Sequence, residues 1–169
     1  MHGRTDAAVL VPLYVRDGDL HLVLTRRPDT IRRHAGEVAF PGGRQDPGED
    51  LRETALREAF EEVGLPGGDV ELLGALKPVP TLATGYAIYP FVGLIEPGRE
   101  WVLSPREVDE VIEPSLTQLR DGFDRRRIVR RGIPLRTDVY IVGDAFIWGA
   151  TARMIGDLLR RLGAVTLPG

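Results

Sequence analysis

The sequence predicts an α/β domain from three observations. Two apolar, β-branched runs near the start flank a strong hairpin turn, a capped helical segment follows them, and further strand-like runs lead to an amphipathic closing segment. With 169 residues the chain is long enough for one substantial core, and 1–169 reads as a single domain.

In chain order, "AAVLVPLYV" (7–15) and "LHLVLT" (20–25) are strand-like, and Asp17-Gly18 between them is a hairpin turn. "EVAF" (37–40) is a short strand stopped by Pro41-Gly42-Gly43. Asp50 followed by Glu53 makes a capping box, Pro47-Gly48 turns the chain just before it, and Gly64 with Pro66 beyond is a stop signal, so 51–63 is helix. Two more strand-like runs follow, "VELLGALKPV" (70–79) and "AIYPFVGLIE" (87–96). "EVDEVIEPSL" (107–116) reads as a short strand running into a helical turn, and "RRRIVRRGIPLRTDVYIV" (125–142) as a hairpin turning near Arg131-Gly132. Ala152, Ile155, Leu159 and Leu162 recur at helical spacing, which makes 150–162 an amphipathic helix.

Composition narrows the function classes. The 43% hydrophobic and 28% charged fractions are those of an ordinary globular protein. No run approaches the roughly 20 apolar residues of a membrane helix, and the start lacks the order of a signal peptide, so a cytoplasmic protein without membrane contact is expected. A net charge of -3 provides no global basic field of the kind nucleic-acid binders carry. Zero cysteines exclude disulfides and thiolate sites, so any metal is held by oxygen or by the three histidines.

The predicted helix raises a physical question, because Glu58, Glu61 and Glu62 crowd like charges where helical neighbours repel. At about 100° per residue, Leu51, Ala55, Leu56, Ala59, Phe60 and Val63 form one broad apolar face, with Glu58 and Glu62 together at its border near Leu51. A divalent cation at that border turns repulsion into coordination, and all-oxygen ligation suits Mg²⁺ or Mn²⁺. A solvated acidic face is the alternative for so short a pattern taken alone. Gly42 and Gly43 allow backbone conformations that other residues resist, which would let a carbonyl there reach the metal.

The pattern is longer than three glutamates. Gly43, five residues, Glu49, seven residues and then "REAFEEVGL" (57–65) have a chance frequency on the order of 10⁻⁹ per starting position. The segment 43–65 resembles the signature of the Nudix hydrolases at every specified position. The resemblance implies an α/β/α sandwich with a mixed β-sheet, and metal-dependent hydrolysis of a diphosphate linked to another moiety. By position in the motif it implies Glu58 and Glu62 as metal ligands, Glu61 as a further ligand or water-activating base, and a pairing of Arg57 with Glu49 that orients the site.

Specificity must come from elsewhere in the chain. "LTRRPDTIRRHAGEVAFPGG" (24–43) resembles the additional signature of the coenzyme A diphosphatase subgroup, with Pro28 and Glu37 as departures. Within it, Arg26, Arg27, Arg32, Arg33 and His34 place five cationic or potentially cationic groups beside the proposed metal site. Coenzyme A offers a diphosphate and a 3′-phosphate, both of which guanidinium groups bind bidentately.

The expected substrate-binding residues are therefore Arg26, Arg27, Arg32, His34, Gly43 and Tyr86, and the metal set is Glu58, Glu62 and Gly42. Tyr86 belongs to "PTLATGYAIYPFVG" (80–93), which with "IWGATARM" (147–154) supports the subgroup, though core packing also explains its aromatics. The partner expected is a coenzyme A-like small molecule, and a homodimer is left open. Two further readings stand beside it: a Nudix enzyme for ADP-ribose, NADH or nucleoside triphosphates, and a non-catalytic Nudix module that binds a nucleotide. The second arginine cluster, "RRRIVRRG" (125–132), is a solvated strand face or a contact for a distant phosphate.

Overall fold

Alternating residues of the first strand face two different cores, and this places the rest of the molecule. A computed structural model describes residues 6–30, 36–81 and 85–163. Its elements run β1 (Ala7–Arg16), β2 (Asp19–Leu22), β3 (Leu24–Arg26), β4 (Val38–Ala39), β5 (Gly42–Arg44), α1 (Leu51–Val63), β6 (Glu71–Ala75), β7 (Val79–Pro80) and β8 (Ala87–Leu94). They continue with β9 (Glu110–Ile112), α2 (Leu116–Asp121), β10 (Phe123–Arg130), β11 (Ile133–Val142), β12 (Ala145–Ile147) and α3 (Gly149–Gly163).

β1 pairs antiparallel with β2 and β5 and parallel with β8, so the main sheet is mixed. β6 and β7 extend it from β8, and two smaller sheets, β10-β11-β12 and β4-β3-β9, complete the architecture. The period of two in a strand sends Ala8, Leu10 and Tyr14 to a core with Ala55, Ala59 and Val63 of α1. Val11 and Leu13 turn the opposite way, into a core with Met154, Ile155 and Leu158 of α3. Leu10 and Val11 are both fully buried, which contributes about 1.5–3 kcal/mol for each such side chain. The result is the helix–sheet–helix sandwich expected above.

Both expected hairpins form. Asp17 and Gly18 have φ of 52° and 75°, Arg131 and Gly132 have 52° and 76°, and two consecutive positive φ values are what a two-residue turn needs to match strand twist. No helix among the described residues is long and apolar enough to cross a membrane.

Four local expectations need correction. The run 20–25 is two strands, because Leu22 pairs with Leu13 of β1 whereas Leu24 pairs with Ile112 of β9. β4 ends before Pro41 as expected, but Gly42 and Gly43 then form a strand of their own, β5, opposite Val9 and Ala8. Neither glycine has a positive φ; the need is for space, since a Cβ at Gly42 would lie 2.4 Å from the Ala8 carbonyl oxygen and one at Gly43 would lie 2.5 Å from Glu58 Oε1. β12 was not anticipated, its three residues being too short a run to read.

The fourth correction concerns α1. Phe60 is 58% exposed, whereas Thr54 is fully buried and Glu62 only 7% exposed. The buried arc is rotated away from Phe60 toward Thr54, so Glu62 lies inside it and not at its border.

Gly42→Ala is expected to destabilise the fold by about 1–3 kcal/mol through overpacking against β1. Denaturant unfolding measures it, and an unchanged midpoint would refute this account of the close approach.

Candidate active site

The site begins at the start of α1. The Asp50 carboxylate accepts the Glu53 backbone N–H at 3.0 Å, which caps the helix, although no return bond from the Glu53 side chain completes a capping box. Gly64 ends the helix in the left-handed region at φ 73°, and a Cβ there would meet Val102 at 2.9 Å. Between these stops α1 packs against β1, β5 and β8.

Arg57 is the hub. Its Nε and Nη2 donate to the two oxygens of Glu49 at 2.7 and 3.1 Å, a bidentate grip. Nη1 donates to Glu58 Oε1 at 3.0 Å and Glu61 Oε2 at 3.2 Å, and Nη2 also donates to the Arg44 carbonyl at 3.0 Å. Glu49 in turn accepts the buried Thr54 hydroxyl at 2.6 Å and the Asp46 N–H at 3.1 Å. The Arg57 hydrogen bonds, then that of Thr54, pull the Glu49 carboxyl down from its ordinary 4.5 to about 2, and Glu49, joined by Glu58, raises Arg57 further.

Glu58 and Glu62 are shifted the other way. Burial raises both, with Arg57 opposing the shift at Glu58. Glu62 reaches about 8, because the Gly42 N–H, donating to Oε2 at 2.8 Å, offsets its desolvation only in part and the charges of Glu58 and Glu107 add to it. Gly42 thus meets the acidic pair through its N–H. Among the described residues no group of three or more carboxylates or imidazoles forms a ready metal cluster, since Glu58 leans on Arg57 and Glu62 on Gly42.

The donor set fits a divalent cation all the same. Two hard carboxylates stand four residues apart on one helix face, desolvated and mutually repelling, and Gly43 leaves Glu58 room against β5.

The cationic residues divide. Arg26 is held away from the acids: Nη2 donates to Asp144 at 2.9 Å and Nε lies 3.2 Å from Glu110. Arg27 lies near enough to the acids for its charge to lower the Glu62 pKa, and its buried Nε has no hydrogen-bond partner among the described residues. Tyr86 approaches through Arg44, whose Nη2 donates to the Tyr86 hydroxyl at 3.3 Å and whose guanidinium lies 5.4 Å from the ring centre. Arg32, Arg33, His34 and Thr84 lie outside the described residues. In the second cluster, Arg125 pairs with Asp138 and Arg126 with Asp124, while Arg130 stacks on Trp148 at 5.5 Å.

Three residues at the site escaped the sequence reading. Thr54 reads as a neutral helix residue and Arg44 as a loop arginine. Glu107 lies on a turn tied to α1 by the Ser104 N–H donating to the Glu62 carbonyl at 2.9 Å, a juxtaposition no local pattern announces.

Because Glu62 holds its proton more tightly folded than unfolded, its ionisation makes stability fall as pH rises from 4.5 to about 8. In a chelator, Glu62→Gln is therefore expected to raise Tm above wild type at pH 8 and to lose that advantage near pH 4.5. Melting curves at both pH values check this, and a wild type more stable than the variant at pH 8 would contradict it.

Residues 4–131 match the NUDIX domain family. The Nudix hydrolase NudL of Citrobacter koseri, itself uncharacterized, is 42% identical over 163 residues, covering 95% of this chain and 84% of that one. NudL of Photorhabdus laumondii is 40% identical over 159 residues, covering 92% and 84%. Among solved structures, the RenU Nudix hydrolase of M. smegmatis aligns with a TM-score of 0.67 at 18% identity over 100% of this chain and 92% of its own. The NUDIX domain of Shewanella oneidensis NrtR, complexed with ADP ribose, aligns at 0.64 and 16% over 96% and 90%. These low identities speak to the fold, whereas the domain match and the NudL relatives speak to descent. The Arg57-centred acidic helix therefore belongs to a member of the Nudix hydrolase family, whose enzymes act on pyrophosphate bonds of nucleoside diphosphate derivatives and generally use divalent metals.

Proposed function

We propose that this Nudix hydrolase cleaves the diphosphate of coenzyme A or its derivatives, giving 4′-phosphopantetheine and adenosine 3′,5′-bisphosphate. The observation that carries the reading is Arg27: within a segment resembling the coenzyme A diphosphatase signature, it has a buried, unpartnered Nε and a charge that reaches Glu62. A buried guanidinium donor without an acceptor suits an anionic ligand.

In this reading Glu58 and Glu62 hold Mg²⁺ or Mn²⁺. When bound, the cation supplies charge neutralisation at the phosphate oxygens and acidifies the attacking water. Arg57 and Glu49 hold Glu58 and Glu61 in place. Water attacks phosphorus and forms a new P–O bond, the bridging P–O bond breaks, and the leaving phosphate keeps its electron pair. Glu61, the most exposed of Glu58, Glu61 and Glu62 at 50% side-chain exposure, accepts the proton. Arg27 binds the substrate phosphates, joined by Arg32 and His34 of the same segment. Tyr86 and Gly43 border the substrate. Arg26 is left out of this role because Asp144 and Glu110 already neutralise it.

A panel of coenzyme A, 3′-dephospho-coenzyme A, ADP-ribose, NADH and deoxynucleoside triphosphates with Mg²⁺ tests the substrate. Coenzyme A is expected to be preferred, with its dephospho form slower in kcat/KM by about one to two orders of magnitude for one lost charge-assisted contact. Faster turnover of ADP-ribose or a triphosphate would instead favour another nucleoside diphosphate derivative as the substrate. Arg27→Ala is expected to raise KM more than it lowers kcat, because the contact is made equally in ground and transition states. Kinetics identical to wild type would remove Arg27 from the site.

A further inference from the structure

On the face of the sheet opposite α1, a groove of about 850 Å³ runs between α3, the 77–80 segment and the β10–β11 hairpin. Its volume is within the range of small-molecule sites. Five cationic side chains line it against two carboxylates, Asp138 and Asp157, in a chain whose net charge is -3. The excess of positive charge is therefore a local construction.

Both carboxylates are already engaged. Asp157 accepts the Lys77 backbone N–H at 2.9 Å and Arg161 Nε at 3.2 Å, and these bonds hold its pKa below the ordinary value; Asp138 pairs with Arg125 at 3.3 Å. The bond to Lys77 also clamps the 77–80 segment onto α3. By contrast, the Lys77 ammonium and the Arg136 and Arg153 guanidiniums have no hydrogen bond or ion pair among the described residues. Arg153, Gly156, Asp157 and Arg160, at helical spacings of three and four, make one wall from a single stripe of α3. Pro78, Val79, Ala152 and Gly156 give an apolar floor between the cations. An apolar floor ringed by unpaired donors suits a phosphorylated organic molecule better than a bare ion.

Within the sheet, Arg44 pairs with Ala7, Ala7 with Ile88 and Ile88 with Val79, so three strand spacings, about 14 Å at ~4.8 Å each, separate the backbone of β5 from that of β7 at the groove's edge.

We propose that this groove binds a phosphate-bearing small molecule through Lys77, Arg136 and Arg153. The phosphate belongs either to the far end of an extended substrate or to a separate ligand. The site stands independently of the coenzyme A reading.

The test is calorimetric titration with inorganic pyrophosphate in chelator. Wild type and Glu62→Gln are expected to bind alike, while a Lys77→Ala/Arg136→Ala/Arg153→Ala variant binds at least about tenfold more weakly. Because none of the three side chains makes a hydrogen bond or ion pair among the described residues, Tm should hold; Arg153→Glu alone provides a second variant with the same expected direction. Binding unchanged in both variants, or no binding by wild type at millimolar pyrophosphate, would overturn the proposal. Kinetics then separate the sources: a raised KM for coenzyme A with unchanged kcat in the triple variant assigns the phosphate to the substrate. Unchanged KM together with lost pyrophosphate binding assigns it to a separate ligand. If wild type fails to turn over coenzyme A, the substrate reading falls and the calorimetric result stands.

Discussion

Arg57 holds the acidic helix, the strand beside it and the loop before it in one arrangement. Its guanidinium reaches Glu49, Glu58, Glu61 and the Arg44 carbonyl. A planar fork is suited to this, because its donors leave in fixed directions and each partner found restricts the next. A lysine would supply the charge without the geometry. The Glu49 grip closes the 44–57 segment into a ring, and the buried Thr54 hydroxyl fixes Glu49 from the other side. Glu58 and Glu61 inherit their orientation from this ring.

Electrostatics at the two ends of that helix run in opposite directions. At Glu49 hydrogen bonding to the ionised form wins over burial, so its stabilisation is present above pH 4.5 and is lost as pH falls toward about 2. At Glu62 burial wins over a single backbone donor, so ionisation is costly until a cation or a proton arrives. The loop before α1 therefore carries a carboxylate that is satisfied by the protein alone, and α1 carries one that is not. In the ligand-free protein near neutral pH the first is ionised and stabilising, whereas the second keeps its proton up to about 8.

Much of this was legible in the sequence because it is local. The helix limits follow from Asp50 and Gly64, the hairpins from Asp17-Gly18 and Arg131-Gly132, and the neighbouring placement of Glu58 and Glu62 from their spacing on one helix. What could not be read depends on contacts between distant segments. The rotation of the α1 buried arc away from Phe60 is set by the surface of β1. The neutralisation of Arg26 needs Asp144, 118 positions away, and Glu107 joins the acids only because its turn docks on the end of α1. β5 was misread for a different reason: two adjacent glycines signal a turn in most settings, and here they let a strand pass close to Ala8 and Glu58.

The loop carrying the arginine signature is fastened at its base. The Arg27 N–H donates to the Glu37 carbonyl at 3.0 Å, and the Gly36 N–H donates to the Arg27 carbonyl at 3.1 Å. The acidic helix makes its own closure elsewhere, around Arg57, so the two are separately anchored. Loop-closure entropy grows slowly, by about 0.6 kcal/mol for each doubling of length. Insertions and replacements between 28 and 35 can therefore accumulate in a lineage at little cost to the hydrolytic centre. Such an arrangement lets the segment after Arg27 vary in sequence while the acidic helix keeps its own ring of bonds.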